Sequence, residues 1–103
     1  MDFDLSKWRE AIADGRILWR AHAVGRMLNR NISRADVTGV LLSYDIIEEY
    51  PNDEPHPSVL LIGCSGQRVV HVVAAFDGIK IYVITAYEPG LDHFEDCFRR
   101  RRA

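Results

Sequence analysis

His22, Arg26 and Arg30 stand four residues apart in succession, so on a helix they line up as one stripe of an imidazole and two guanidinium groups. The stripe holds no carboxylate of its own. It must therefore meet acidic side chains elsewhere, with Glu48 and Glu49 as the internal candidates, or water, or an anionic ligand. A second constellation sits downstream, where Arg68–Phe76 and Ile79–Tyr87 are β-branched runs separated by Asp77-Gly78, a strong hairpin signal. A two-residue turn there pairs Phe76 with Ile79. Phe76, Ala74, Val72 and Val70 then face the core, opposite Ile79, Ile81, Val83 and Thr85. The other face carries His71, Tyr82 and Lys80, an imidazole, a phenol and an ammonium on one open sheet surface suited to an anionic substrate. The plainer alternative makes His71 a half-buried strand residue with a satisfied hydrogen bond and Lys80 a solubilising charge near the turn.

Other chemistries have less to stand on. Asp53, Glu54 and His56 share a Pro-rich loop but match no metal-ligand spacing, so neither a metal nor any other cofactor is expected. Cys64 and Cys97 fit no zinc or disulfide pattern and lack a basic neighbourhood that would activate a thiol; such cysteines suit a reducing cytoplasm. The stretch Gly63-Cys64-Ser65-Gly66 lacks the length and the lysine of a phosphate-binding loop.

Helices come first among the elements that must position these groups. Leu5, Trp8 and Ile12 recur at helical spacing after Asp4, and Gly15 follows as a stop, which predicts a helix over 4–14. A short apolar stretch, Ile17–Trp19, leads into a second helix, Ala21–Arg30, expected to bury Val24, Met27 and Leu28 and to end at Asn31, a residue suited to the left-handed conformation. Ser33 with Asp36 three residues on opens a third helix, Arg34–Ser43. The period then changes to that of strands, predicted at Ile46–Tyr50, Ser58–Cys64, Arg68–Phe76 and Ile79–Tyr87. A last helix is expected over 91–101, with Leu91, Phe94 and Phe98 on one side. The expected fold is α+β: N-terminal helices packed on one face of a four-stranded antiparallel meander, with a closing C-terminal helix.

With 103 residues, the chain has room for one core and is read as a single domain, 1–103. At 48% hydrophobic and 27% charged it has the composition of an ordinary globular protein. Its longest apolar runs are too short to span a bilayer, and Asp2 and Asp4 stand where a secretory signal would carry positive charge, so a cytoplasmic protein is expected. The formal charge of −2 argues against broad phosphate affinity. Charge is nevertheless unevenly spread. Residues 7–34 carry seven basic side chains against Glu10 and Asp14, residues 45–54 carry five acidic ones and no basic one, and the chain closes on Arg99–Arg102. Eleven of the thirteen basic residues are arginine, whose planar fork binds phosphate or carboxylate bidentately.

Three stretches, HAVGRMLNRNIS (His22–Ser33), VVHVVAAF (Val69–Phe76) and VITAYEP (Val83–Pro89), resemble a bacterial family of small domains of unknown function found beside YgiT-like zinc-finger antitoxins and related to the RelE/ParE and BrnT toxins. The resemblance covers roughly residues 16–98. Asn31 stands where the pattern usually has glycine, and Phe94 where tryptophan is common. It implies a RelE-like fold, with helices on one face of a curved antiparallel sheet and the functional surface on the other. It also implies either a metal-independent endoribonuclease that cleaves mRNA, an mRNA interferase silenced by a cognate antitoxin, or a non-catalytic ParE-like module that binds a protein or its own copy as a homodimer. Fold alone does not choose between them.

Metal-free RNA cleavage needs a base for the ribose 2′-hydroxyl, an acid for the leaving oxygen and fixed cations for the phosphate. On the ribonuclease reading His22 or His71 is the base or acid, and Arg26, Arg30 and Lys80 hold phosphate. Tyr87, Tyr82 and Arg68 orient the base or assist proton transfer.

Overall fold

The computed structural model describes residues 4–65 and 68–89, and the backbone of 94–95 and 100–101. Helix α1 (Leu5–Ala13) begins where the Asp4 carboxylate accepts the backbone N–H groups of Ser6 and Lys7, and Gly15 carries the chain out of it at φ +72°. Strand β1 (Ile17–Trp19) follows, then α2 (Ala21–Asn29). Helix α2 ends before Asn31, which takes the left-handed conformation at φ 56°. Helix α3 (Arg34–Ser43) opens on a reciprocal cap: Asp36 N–H donates to Ser33 Oγ, and Ser33 N–H donates to the Asp36 carboxylate.

Strands β2 (Ile46–Tyr50), β3 (Ser58–Ser65), β4 (Arg68–Phe76) and β5 (Ile81–Tyr87) pair antiparallel in chain order, but the sheet is not the expected four-stranded meander. Its order is β1-β5-β4-β3-β2, and β1 lies parallel to β5, so the sheet is five-stranded and mixed. The correction has a physical cause: Ile17–Trp19 pairs with Ile81–Val83, far along the chain, and a three-residue strand leaves almost no alternation to read. The expected C-terminal helix is corrected as well. Phe94–Glu95 (β6) and Arg100–Arg101 (β7) pair as short antiparallel strands, and the rest of that stretch lies outside the described residues.

The register of the β4–β5 hairpin differs by two residues from expectation. Asp77 Oδ1 accepts the backbone N–H groups of Ile79 (2.8 Å) and Lys80 (2.7 Å), which draws Ile79 and Lys80 into the connection. Phe76 therefore pairs with Ile81 rather than with Ile79, and Ile79 is 58% exposed. A shift of two keeps the faces, because side chains alternate with a period of two. A bulge between Val73 and Ala74 then sends Ala86 rather than Thr85 into the core, with Val72 opposite Ala86 and His71 opposite Tyr87.

One sheet face packs on the helices. Val59, Leu61, Val70, Val72, Ala74, Phe76, Ile81, Val83 and Ala86 meet Trp8, Ala11, Ala23, Met27, Val37, Val40 and Leu41. Burial of each larger side chain contributes roughly 1.5–3 kcal/mol, which fixes this face. Trp8 is the keystone of that layer: its Nε1–H donates to the Leu41 carbonyl (2.9 Å), and its ring stands edge-on to Tyr44 and Phe76. At Gly63 α3 comes close to the sheet, since a Cβ there would lie 2.9 Å from Val40 Cγ2 and 3.1 Å from Val40 Cα. Leu28, expected in the core, points outward at 77% exposure. No helix of the described residues is long and apolar enough to cross a membrane.

Candidate functional site

The second sheet face carries the polar residues. Register and alternation put Glu48 and Tyr50 of β2, Ser58 of β3, His71 of β4, and Tyr82, Thr85 and Tyr87 of β5 there. This face is not open along its middle. Ser58, Leu60, Ile62, His71 and Ala75 are all buried, and His71 is 0% exposed. The expectation of an open surface around His71 is therefore corrected: the alternation in Val69–Phe76 tells which residues share a face, not whether that face is wet. His71 stands edge-on to the Tyr87 ring, centroids 5.5 Å apart, and the two are direct cross-strand partners. On the same face the Thr85 hydroxyl is buried with no hydrogen-bond partner among the described residues. Sequence reasoning placed Thr85 in the core. Only the bulge, which no local motif announces, turns it toward His71 and Tyr87.

The predicted site residues divide into two groups. At one end of the hairpin stand Arg30, Arg68, Tyr87 and His71. Strand β1 reaches only to Val83, so among the described residues the far half of β5 has no strand on the side away from β4, and α2 packs against β5. Arg30 Nη1 donates to the Ala86 carbonyl (2.9 Å), which supplies an acceptor on that uncovered edge with a donor. Arg68 closes the other side of the junction. Its guanidinium donates to the carbonyls of Asn31 (2.8 Å) and Arg30 (3.2 Å), which end α2, and to Glu88 Oε1. Both arginines thus tie the end of α2 to the strand that carries Tyr87. The other two members of the stripe are uncommitted. His22 and Arg26 are exposed, and no hydrogen bond or ion pair among the described residues engages either. At 1.5 Å rise per residue Arg26 lies about 6 Å along the axis from Arg30, and His22 about 12 Å. From Gly15 to Ala35 there is no acidic residue, so this helix surface is cationic throughout. The internal answer offered by Glu48 and Glu49 is not taken up, because β2 is the opposite edge of the sheet from β1 and α2.

At the other end of the hairpin stand Tyr82 and Lys80. Lys80 lies in the connection rather than in the ladder, and its side chain is exposed. The Tyr82 hydroxyl donates to Asp77 Oδ2 (2.7 Å), and its ring stacks with His56 at 5.4 Å and 20°. The Lys80 backbone N–H, the Tyr82 hydroxyl and the Ile79 N–H together lower the Asp77 pKa to about 2. The same hydrogen bond raises that of Tyr82 above its ordinary value. His56 is a residue whose loop position gave no sign of a partner across the sheet.

Among the described residues no group of three or more His, Cys, Asp or Glu is placed to hold a metal ion. Cys64 is exposed and free, and Cys97 lies outside the described residues. The arrangement can therefore offer an exposed imidazole and guanidinium on α2, and a phenol at the end of β5, the strand that Arg30 ties to the same helix. It is suited to binding an anion and moving a proton beside it.

No curated protein and no solved structure matches this chain. A family model does: residues 19–88, which include both ends of the hairpin and the whole arginine stripe, match the family described as Domain of unknown function (DUF4258), and the chain belongs to that family.

Proposed function

We propose that this domain is a toxin-like, metal-independent endoribonuclease of the RelE/ParE-like kind, a cytoplasmic protein held silent by a cognate antitoxin. The observation that carries the reading is the α2 stripe: His22 and Arg26 stay exposed without a hydrogen-bond or ion-pair partner among the described residues, while Arg30 fastens the same helix to the strand bearing Tyr87. In this reading His22 takes the proton from a ribose 2′-hydroxyl, and the 2′-oxygen forms a bond to phosphorus. The 5′-oxygen leaves and takes a proton from the Tyr87 phenol, which leaves a 2′,3′-cyclic phosphate. Arg26 stabilises the extra negative charge on the phosphoryl oxygens. His71, being buried, acts through Tyr87 as a positioning residue rather than on the substrate. The test is incubation of the purified chain with mixed-sequence RNA. Cleavage that falls at least about a hundredfold in His22→Ala and in Arg26→Ala supports the reading. Intact RNA sinks it.

A second reading, a non-catalytic protein-binding module or homodimer on the same fold, is favoured by two observations. His71 is closed off, and Arg30 and Arg68 are committed to carbonyls and Glu88. Leu28, 77% exposed on the same helix, would be an anchor for such a partner. Growth arrest on induction without any RNA cleavage selects this alternative.

A further inference from the structure

The His56–Tyr82 pair stands at the turn end of the β4–β5 hairpin, and nothing in the cleavage scheme uses it. The rings are nearly parallel and offset, both are half-buried, and Tyr82 is pinned through its hydroxyl to Asp77. Ala75, the cross-strand neighbour of Tyr82, is small enough to leave His56 room over the sheet. Around the pair the surface stays open, with Leu18, the β1 partner of Tyr82, 45% exposed and Ile79 58% exposed. Arg20 and Lys80 are exposed cations at its margin, and no hydrogen bond among the described residues engages the Arg20 guanidinium. Arg20 directly follows Trp19, the β1 partner of Val83, and so stands two residues along the chain from Leu18, the partner of Tyr82.

The nearby carboxylates limit what can bind. Asp77 is filled by three donors, and Asp53 accepts the Ser58 hydroxyl, but Glu54 stays exposed beside His56. That charge disfavours a run of phosphates beside His56.

We propose that His56, stacked on Tyr82 and flanked by Arg20, is a second subsite that stacks one base of single-stranded RNA while Arg20 meets the adjoining phosphate. The proposal deepens the reading of the protein as RNA-directed and rests on it. The subsite lies four residues along β4 from the His71–Tyr87 pair, about 13 Å at strand rise. It would therefore hold a nucleotide flanking the one at the cleavage site. Stacking on an aromatic ring tolerates any base, so the subsite adds affinity without strong sequence preference.

The experiment is fluorescence anisotropy with a labelled 2′-O-methyl octauridylate, which cannot be cleaved by 2′-oxygen attack. His56→Ala weakens binding about tenfold, and His56→Phe, which keeps the stack, binds as the unaltered chain does. Arg20→Ala weakens it too and lowers the slope of log affinity against log salt by about one. Equal binding by His56→Ala and the unaltered chain overturns the proposal, as does no binding at all. The two readings fail separately. A chain that binds the oligomer through His56 yet leaves unmodified RNA intact loses cleavage and keeps the subsite. A chain that cuts RNA but binds regardless of His56 and Arg20 loses only the subsite.

Discussion

Replacing Arg68 with alanine separates the arginines that build the junction from those that face a partner. Arg68 donates to two carbonyls at the end of α2, at 2.8 and 3.2 Å, and to Glu88 across 2.8 Å. A hydrogen bond to a charged group contributes roughly 1.5–3 kcal/mol when buried. The Arg68 side chain is 33% exposed, however, and water replaces it in part, while an exposed ion pair contributes only about 0–1 kcal/mol. Together these give an expected loss of about 1–2 kcal/mol, or about 5–12 °C in Tm for a domain of this size. Arg26→Ala removes an exposed side chain that no hydrogen bond or ion pair engages among the described residues, and stays within about 0.5 kcal/mol. Urea unfolding followed by circular dichroism reads both variants on one scale. If Arg68→Ala unfolds at the same urea concentration as the unaltered chain, or if Arg26→Ala is the less stable of the two, the division between clasp and free stripe is wrong.

Three further substitutions test the frame. Gly63→Ala sets a methyl group 2.9 Å from Val40 Cγ2 and 3.1 Å from Val40 Cα, so α3 must move away from the sheet at a cost of about 1–3 kcal/mol, seen in the same unfolding curves. Trp8→Phe keeps most of the ring but strands the Leu41 carbonyl in the core, at a cost of about 1–3 kcal/mol with the near-ultraviolet spectrum altered. Asp77, whose pKa is lowered to about 2 from 3.8, adds stability that is present above pH 4 and is lost as pH falls toward 2. The stability gap between the unaltered chain and Asp77→Asn is therefore full at pH 5 and narrows between pH 4 and pH 2. The Tyr82 pKa is raised, so its hydrogen bond to Asp77 contributes at neutral pH and is lost once the pH climbs above about 10 and through the folded-state value, read by phenolate absorbance.

Much of the frame is written in short-range signals. Asp4, Ser33 with Asp36, and Asn31 mark helix ends because each satisfies a backbone group or tolerates a left-handed φ within a few residues of itself. Asp77-Gly78 marks the hairpin for the same reason, yet its register depends on how many N–H groups the Asp77 carboxylate gathers, and two rather than none moved the pairs from Ala74 to Phe76 by two. What stayed illegible is long-range. Strand β1 is a strand only because Ile81–Val83 lies beside it, and the bulge that turns Thr85 away from the core belongs to the pairing of two strands rather than to either. The site shows the same split. That His22, Arg26 and Arg30 form a stripe follows from helical spacing alone. That Arg30 is drawn off to Ala86 while His22 and Arg26 are left exposed follows from α2 lying along the uncovered half of β5. His71 and Tyr82 share a face, as alternation requires, but one is sealed and the other lies at an open margin beside His56.

The central claim is that the exposed α2 stripe cuts RNA without a metal. The most direct measurement is end-group analysis of RNA incubated with the purified chain in excess EDTA. The account predicts new fragments ending in 2′,3′-cyclic phosphate, formed by the unaltered chain and not by His22→Ala. Fragments that vanish on chelation, or that His22→Ala still produces at the full rate, would contradict it.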